Sequence, residues 1–222
     1  GDSSMRSILV LNSKGGSGKT TLATNLAVFY ALRRQSVALV DCDPQASSYD
    51  WLQERTELRS AIKPVVGWEG RVRIGNDVDV AIIDAPAAVH GKALAELVKR
   101  AQTVLMPVLP TALDMRAALR FHKEIADLSR VHKRQVKIAT VANRVREISP
   151  SRWELEDFLR AMKLPDGRRL PFIACLRNSQ NYVRAAARGL GIAEIAPSAV
   201  AHDLELWRPL LRWLNGKHSL PD

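Results

Sequence analysis

An apolar run, Ser7-Ile8-Leu9-Val10-Leu11-Asn12, leads into Lys14-Gly15-Gly16-Ser17-Gly18-Lys19-Thr20-Thr21, and a helical pattern follows at once. Strand, glycine-rich turn and helix in that order constrain the fold more than any other stretch, because together they build a cradle for phosphate. The glycines let the backbone turn its N–H groups inward where a side chain would clash. The helix beginning near Lys19 aims its positive dipole end at the same point. Lys19 would reach β- and γ-phosphates, and the Thr20 hydroxyl would hold Mg²⁺, as the pattern G-x-x-x-x-G-K-[ST] requires. That pattern is only partly met, since its first glycine would fall at Ser13, one residue before Lys14.

The departure resembles the deviant phosphate loop xKGGxxK[ST] of the ParA/MinD family of P-loop ATPases. The resemblance implies that Gly15, Gly16, Ser17, Gly18, Lys19, Thr20 and Thr21 bind ATP with Mg²⁺. It also implies that Lys14 reaches across a nucleotide-sandwich dimer to the partner's ATP. Two further motifs extend it. Val37-Ala38-Leu39-Val40 reads as a strand buried on both faces, as in a parallel sheet, and ends in Asp41-Cys42-Asp43-Pro44-Gln45. Carboxylates two residues apart on an extended segment project from one side, and ligands of open α/β sheets sit beyond the carboxyl ends of the strands. This stretch is similar to the family's second motif, which implies that Asp43 orients or activates the attacking water and Asp41 supports the Mg²⁺ shell. The third apolar run, Asp79 to Asp84, resembles a Walker B segment, with Asp84 binding Mg²⁺ through water.

Further along, a helical stretch is expected over 46–60 and a short helix over 93–100. Thr103 to Val108 reads as another buried strand. Leu113, Ala117, Phe121, Ile125 and Leu128 mark one face of a long helix whose other face is basic. Val136, Ile138 and Val141 continue the sheet. By resemblance, Asn143 at the end of that strand contacts adenine. Trp153, Leu155, Leu159 and Met162 suggest a helix. Arg177, Arg184 and Arg188 are candidates to follow a nucleic-acid backbone, being spaced about a helical turn apart. Leu204, Trp207, Leu210, Leu211 and Leu214 mark a terminal amphipathic helix, read as packing on the sheet rather than as a membrane tail.

The alternation of strands and helices predicts a single α/β domain, a mostly parallel sheet flanked by helices. Gly1 to Ser4 read as an expression-tag remnant, which leaves a domain over 5–222 of the 222 residues. Two cysteines, Cys42 and Cys175, are too few for a disulfide framework and lack metal-ligand spacing, so a cytoplasmic setting is expected. The net charge of +10 is uneven: residues 1–110 carry a surplus of two cations and residues 111–222 a surplus of eight. A polyanionic partner accounts for that asymmetry; ATP binding alone does not.

The resemblance then implies an ATP-dependent homodimer that binds nonspecific DNA on the nucleoid, hydrolyses ATP, and positions or segregates a cargo. It also implies a cargo-linked stimulating protein of ParB or McdB type. Two alternatives stand beside it: a MinD-like switch on anionic lipid using the terminal helix, and a metabolic P-loop enzyme with a small-molecule pocket.

Overall fold

Every strand of the central sheet runs parallel to its neighbours, as expected from apolar runs that do not alternate with polar residues. The computed structural model describes residues 5–222, so the expected tag remnant lies outside the described residues. In chain order the elements are β1 (Arg6–Val10), α1 (Lys19–Leu32), β2 (Val37–Asp41), α2 (Ser47–Gln53), β3 (Lys63–Val66), β4 (Val80–Asp84), α3 (Gly91–Lys99) and β5 (Thr103–Val108). They continue with α4 (Ala112–Ala126), α5 (Ser129–His132), β6 (Lys137–Val145), α6 (Pro150–Ala161), β7 (Phe172–Arg177), α7 (Gln180–Ala186) and α8 (Pro197–Leu214).

The sheet order is β3-β2-β4-β1-β5-β6-β7. The chain leaves β1 toward one edge and later returns beside β1 to build the other, so the loop after β1 opens at the point where strand order reverses, the usual ligand crevice of such sheets. Register reinforces this. Val10 and Asp41 both pair with Asp84, which brings the ends of β1, β2 and β4 to one level.

Side chains of β1 divide between two cores, as strand alternation requires. Ile8 and Val10 pack with α1 and α8 on one face, while Leu9 and Leu11 pack with α3, α4 and α6 on the other. In α8, Trp207, Leu210, Leu211 and Leu214 are buried, and the Trp207 indole donates to the Tyr182 hydroxyl at 2.8 Å. The terminal helix therefore packs on the sheet, as its pattern indicated. Among the described residues no helix is long and apolar enough to cross a membrane.

Several expectations need correction. The helical stretch over 46–60 is helical only through Gln53. On α4 the inward face is Ala118, Phe121, His122 and Ile125, and Leu113 is 66% exposed. Thr111 caps the helix through the Asp114 N–H, so Leu113 falls in a first turn that overhangs the core. His122 turns inward because its ring bonds the Lys163 carbonyl at 2.6 Å. Trp153 is likewise 53% exposed, and Leu155 and Leu159 anchor α6 in its place.

Candidate functional site

The phosphate loop takes the backbone path that its glycines permit. Gly16 and Gly18 have φ of 84° and 85°, a left-handed conformation that other residues rarely adopt. A Cβ on Gly18 would land on the Asn143 amide nitrogen, whereas one on Gly16 would meet nothing within 4 Å. The loop is therefore tight on its inner side and open where Gly16 faces outward.

Two residues at the end of β6 hold this loop. The Asn143 amide donates to the Ser17 carbonyl at 2.8 Å, and the Arg144 guanidinium donates to the Gly16 carbonyl at 2.9 Å. Arg144 is itself left-handed, with φ of 52°. Asn143, expected at the adenine edge, thus has its amide nitrogen on the loop backbone. Arg144 was not anticipated, and only its position beside Asn143 hinted at it.

Beneath the loop, Lys19 is 5% exposed and its ammonium donates to Asp84. Asp43 stands 3.9 Å from the same ammonium and is 17% exposed. The Thr20 hydroxyl donates to the second Asp84 oxygen at 3.0 Å, and Ser48 donates to it at 2.8 Å. Burial raises the Asp84 carboxyl above the usual carboxylate range, with the Lys19 charge and hydrogen bond opposing it. Ser48 was also missed, since nothing local to α2 marks a hydroxyl aimed at a strand two positions away. Cys42 is pushed up to about 11, first by burial and then by Asp41 and Asp84, so its thiol stays protonated and unreactive at neutral pH.

Asp41 stands at the end of β2 beside this group. Its two oxygens accept backbone N–H groups from Asp43 at 3.0 Å and Tyr49 at 2.9 Å, and the residue is 1% exposed. This carboxylate shapes the turn into α2. Lys14 lies on the rim with its side chain 45% exposed, 3.6 Å from Asp114 in the first turn of α4. The Thr111-x-x-Asp114 spacing that fixes this carboxylate is a capping signature that could have been found in the sequence.

The three candidate arginines separate. Arg177 is paired with Asp203 at 2.8 and 3.0 Å and is drawn into the fold. This ion pair completes Asp203, which is fully buried and needs a cation. Arg184 is exposed and bonds to Asn181, while Arg188 is exposed.

The donor set fits a phosphate and a divalent cation. The Ser17 hydroxyl and the Asn12 side-chain oxygen are buried without hydrogen-bond partners, both at the loop. Such orphaned groups are costly unless a ligand or water completes them. Lys19 supplies a dehydrated cation, and Thr20 with Asp84 supplies the hard oxygens that Mg²⁺ prefers.

Comparison with known proteins agrees with this geometry. Residues 8–192 match the family model described as CbiA, the CobQ/CobB/MinD/ParA nucleotide binding domain. The chain is 31% identical over 196 residues to the maintenance of carboxysome distribution protein A of Gloeobacter kilaueensis, covering 85% of this chain and 84% of that one. Its fold resembles a plasmid partition protein from Borrelia burgdorferi bound to AMPPNP (TM-score 0.68, 14% identity, 94% and 99% of the two chains). It also resembles the MinD cell division protein of Aquifex aeolicus (TM-score 0.67, 18% identity, 94% and 97%). With the glycine loop, the buried lysine and the three aligned strand ends in place, the chain belongs to the CobQ/CobB/MinD/ParA family of nucleotide-binding proteins, on its ParA/MinD side.

Proposed function

We propose that this protein is an ATPase that dimerises on ATP, binds DNA without sequence preference, and positions or segregates a cargo over the nucleoid of the cytoplasm. The observation that carries this reading is the pair of lysines on one loop. Lys19 is buried between Asp84 and Asp43, while Lys14 is half-exposed with its ammonium 3.6 Å from Asp114.

Bound ATP with Mg²⁺ would supply the phosphoryl group and the charge that neutralises it. The N–H groups of Gly15 to Thr21 would cradle the phosphates, Lys19 would hold the terminal ones, and Thr20 with Asp84 would hold the metal. Asp43 would orient the attacking water. Asp41 supports this indirectly: by taking the Asp43 and Tyr49 N–H groups it fixes where Asp43 stands. Lys14, half-exposed, serves the partner subunit's nucleotide. Positioning and charge neutralisation are what phosphoryl transfer needs most.

Dimerisation joins two basic surfaces, and affinity for a polyanion rises steeply with the number of phosphate contacts. Arg184 and Arg188 are the exposed candidates for those contacts. The likeness to a carboxysome distribution protein favours a positioned cargo, with a stimulating protein of ParB or McdB type attached to it. A lipid switch through α8 is not favoured, because its apolar face is already buried. A gel shift with nonspecific duplex DNA in ATP and in ADP, across salt, tests the reading. Binding that ignores the nucleotide would defeat it.

A further inference from the structure

A cavity of about 950 Å³ opens at the end of the sheet opposite the phosphate loop. Lys137, the first residue of β6, lies on its rim, and Asn143 of the same strand holds the phosphate loop. At about 3.3 Å per strand residue, roughly 20 Å separates the two. The cavity is therefore no part of the nucleotide site.

Its lining combines two chemistries. Ile138, Pro171 and Trp213 give it apolar walls, and Arg134, Lys137, Arg168, Arg169 and Lys217 bring five cations to it. Two carboxylates answer them. Asp166 serves both Arg134 at 3.1 Å and Arg168 at 2.7 Å, and Asp222 takes Lys137 at 3.1 Å. Among the described residues Arg169 and Lys217 have no carboxylate partner within 4.0 Å. The last residues of the chain form part of the wall: Leu220 and Pro221 line it, and Asp222 places its carboxylate on Lys137.

A duplex backbone is met by cations that project toward it. Here the exposed Arg134, Arg168, Arg169 and Lys217 line a hollow whose wall also holds an indole and a proline, which suits a short segment able to enter. The volume lies at the upper end of the range of roughly 300–1,000 Å³ for specific ligand sites, room for a few residues. We propose that this cavity docks an acidic peptide segment of a partner protein, one that carries an apolar anchor beside its carboxylates.

The probe is a fluorescein-labelled peptide of repeated Leu-Pro-Asp triplets, titrated by anisotropy against the full chain. Arg169→Glu and Lys217→Glu should each weaken binding at least about tenfold, the loss of one charge-assisted contact. Arg71→Glu makes the same charge change between β3 and β4, at the opposite edge of the sheet, and should weaken binding by less than about twofold at moderate salt. Affinity for a fluorescent ATP analogue should be unchanged in all three, which shows that they fold. No binding by the unmodified protein, or an equal loss with Arg71→Glu, overturns the proposal. So does equal affinity for a peptide with Gly in place of Leu and Pro. If the two cavity variants lower affinity for duplex DNA and leave the peptide unaffected, the cavity belongs to a nucleic-acid surface instead.

Discussion

The Lys19 ammonium donates to the Asp84 carboxylate beneath the phosphate loop, and both side chains are almost wholly buried. A buried ion pair offsets its desolvation only where further hydrogen bonds complete it. Thr20 and Ser48 supply them at the second Asp84 oxygen, and Asp43 gives Lys19 a second carboxylate within 3.9 Å. The lysine is thus held dehydrated at the place where phosphate oxygens would arrive, and low local polarity strengthens any charge contact it makes there.

Lys19→Ala should therefore lose nucleotide affinity. A hydrogen bond from a charged donor is worth about 1.5–3 kcal/mol, which corresponds to roughly a tenfold to hundredfold weaker Kd. The variant also strands Asp84 without its cation, so thermal stability should fall. Adding Asp84→Asn should restore stability and leave affinity low. Tight binding of a fluorescent ATP analogue by Lys19→Ala would contradict the role assigned to this lysine.

Lys14→Ala should behave differently, because its ammonium is half-exposed and its one carboxylate contact is Asp114 at 3.6 Å. Exposed pairs of this kind contribute about 0–1 kcal/mol, so the fold should be nearly unaffected. ATP binding should survive while phosphate release falls at least about tenfold, as expected for a charge that acts on the phosphates during transfer. Size-exclusion chromatography with light scattering, in ATP, should show a weakened dimer. Unchanged turnover would remove the cross-subunit role.

Asp43→Ala should bind ATP and dimerise, yet turn over about a hundredfold more slowly, the scale of a lost water-orienting carboxylate. The trapped dimer should stay on DNA through a salt wash that releases the unmodified protein. Asp41→Ala makes a useful contrast. It removes the acceptor of two partly buried backbone N–H groups, so it should lower the unfolding temperature by more than Asp43→Ala, which removes the acceptor of one exposed N–H, that of Gln45. A monomeric, ATP-bound Asp43→Ala would count against the assignment.

The phosphate loop was legible because everything it needs is local: glycines, lysine and threonine at fixed offsets between a strand and a helix. The strands β1, β2, β4, β5 and β6 were legible for a related reason, since a run buried on both faces carries its own signal. Two strands were not. β3 is a four-residue edge strand with Lys63 and Pro64 exposed, and proline argues against a central strand. β7 carries the apolar run Phe172-Ile173-Ala174-Cys175-Leu176, but as the edge strand it buries only Ala174 and Leu176 fully. Asp41 and Asp43 show a different limit. Their spacing indicated that both are at the strand end, but not that Asp41 gives both oxygens to backbone N–H groups while Asp43 gives one to the Gln45 N–H and brings the other within 3.9 Å of Lys19, in a turn that closes on the left-handed Ala46. A turn of that kind leaves little trace in the residue types. The Arg177–Asp203 pair was illegible for the same reason, because the two are distant in sequence and meet only through the packing of α8.

That ion pair yields a test by pH. Asp203 is fully buried and accepts hydrogen bonds from Arg177, Ser179 and Asn181. Burial alone would raise its carboxyl; the Arg177, Asn181 and Ser179 hydrogen bonds with the Arg177 charge together outweigh burial and hold it below the ordinary range. A carboxyl whose pKa is lower folded than unfolded binds fewer protons when folded, so stability increases with pH across that interval. The contribution is fully present above the unfolded value, about 3.9, and is lost as pH falls through the folded one. Asp203→Asn removes it. In urea unfolding the unmodified protein should exceed Asp203→Asn in stability by a constant margin from pH 7 to pH 5, and that margin should shrink as the pH falls below 4. A margin that stays constant down to pH 2 would show that the Asp203 carboxyl does not titrate on unfolding. Arg177→Ala should then lose the same margin at neutral pH with its DNA affinity per folded molecule retained, whereas Arg188→Glu should keep the fold and weaken binding to DNA.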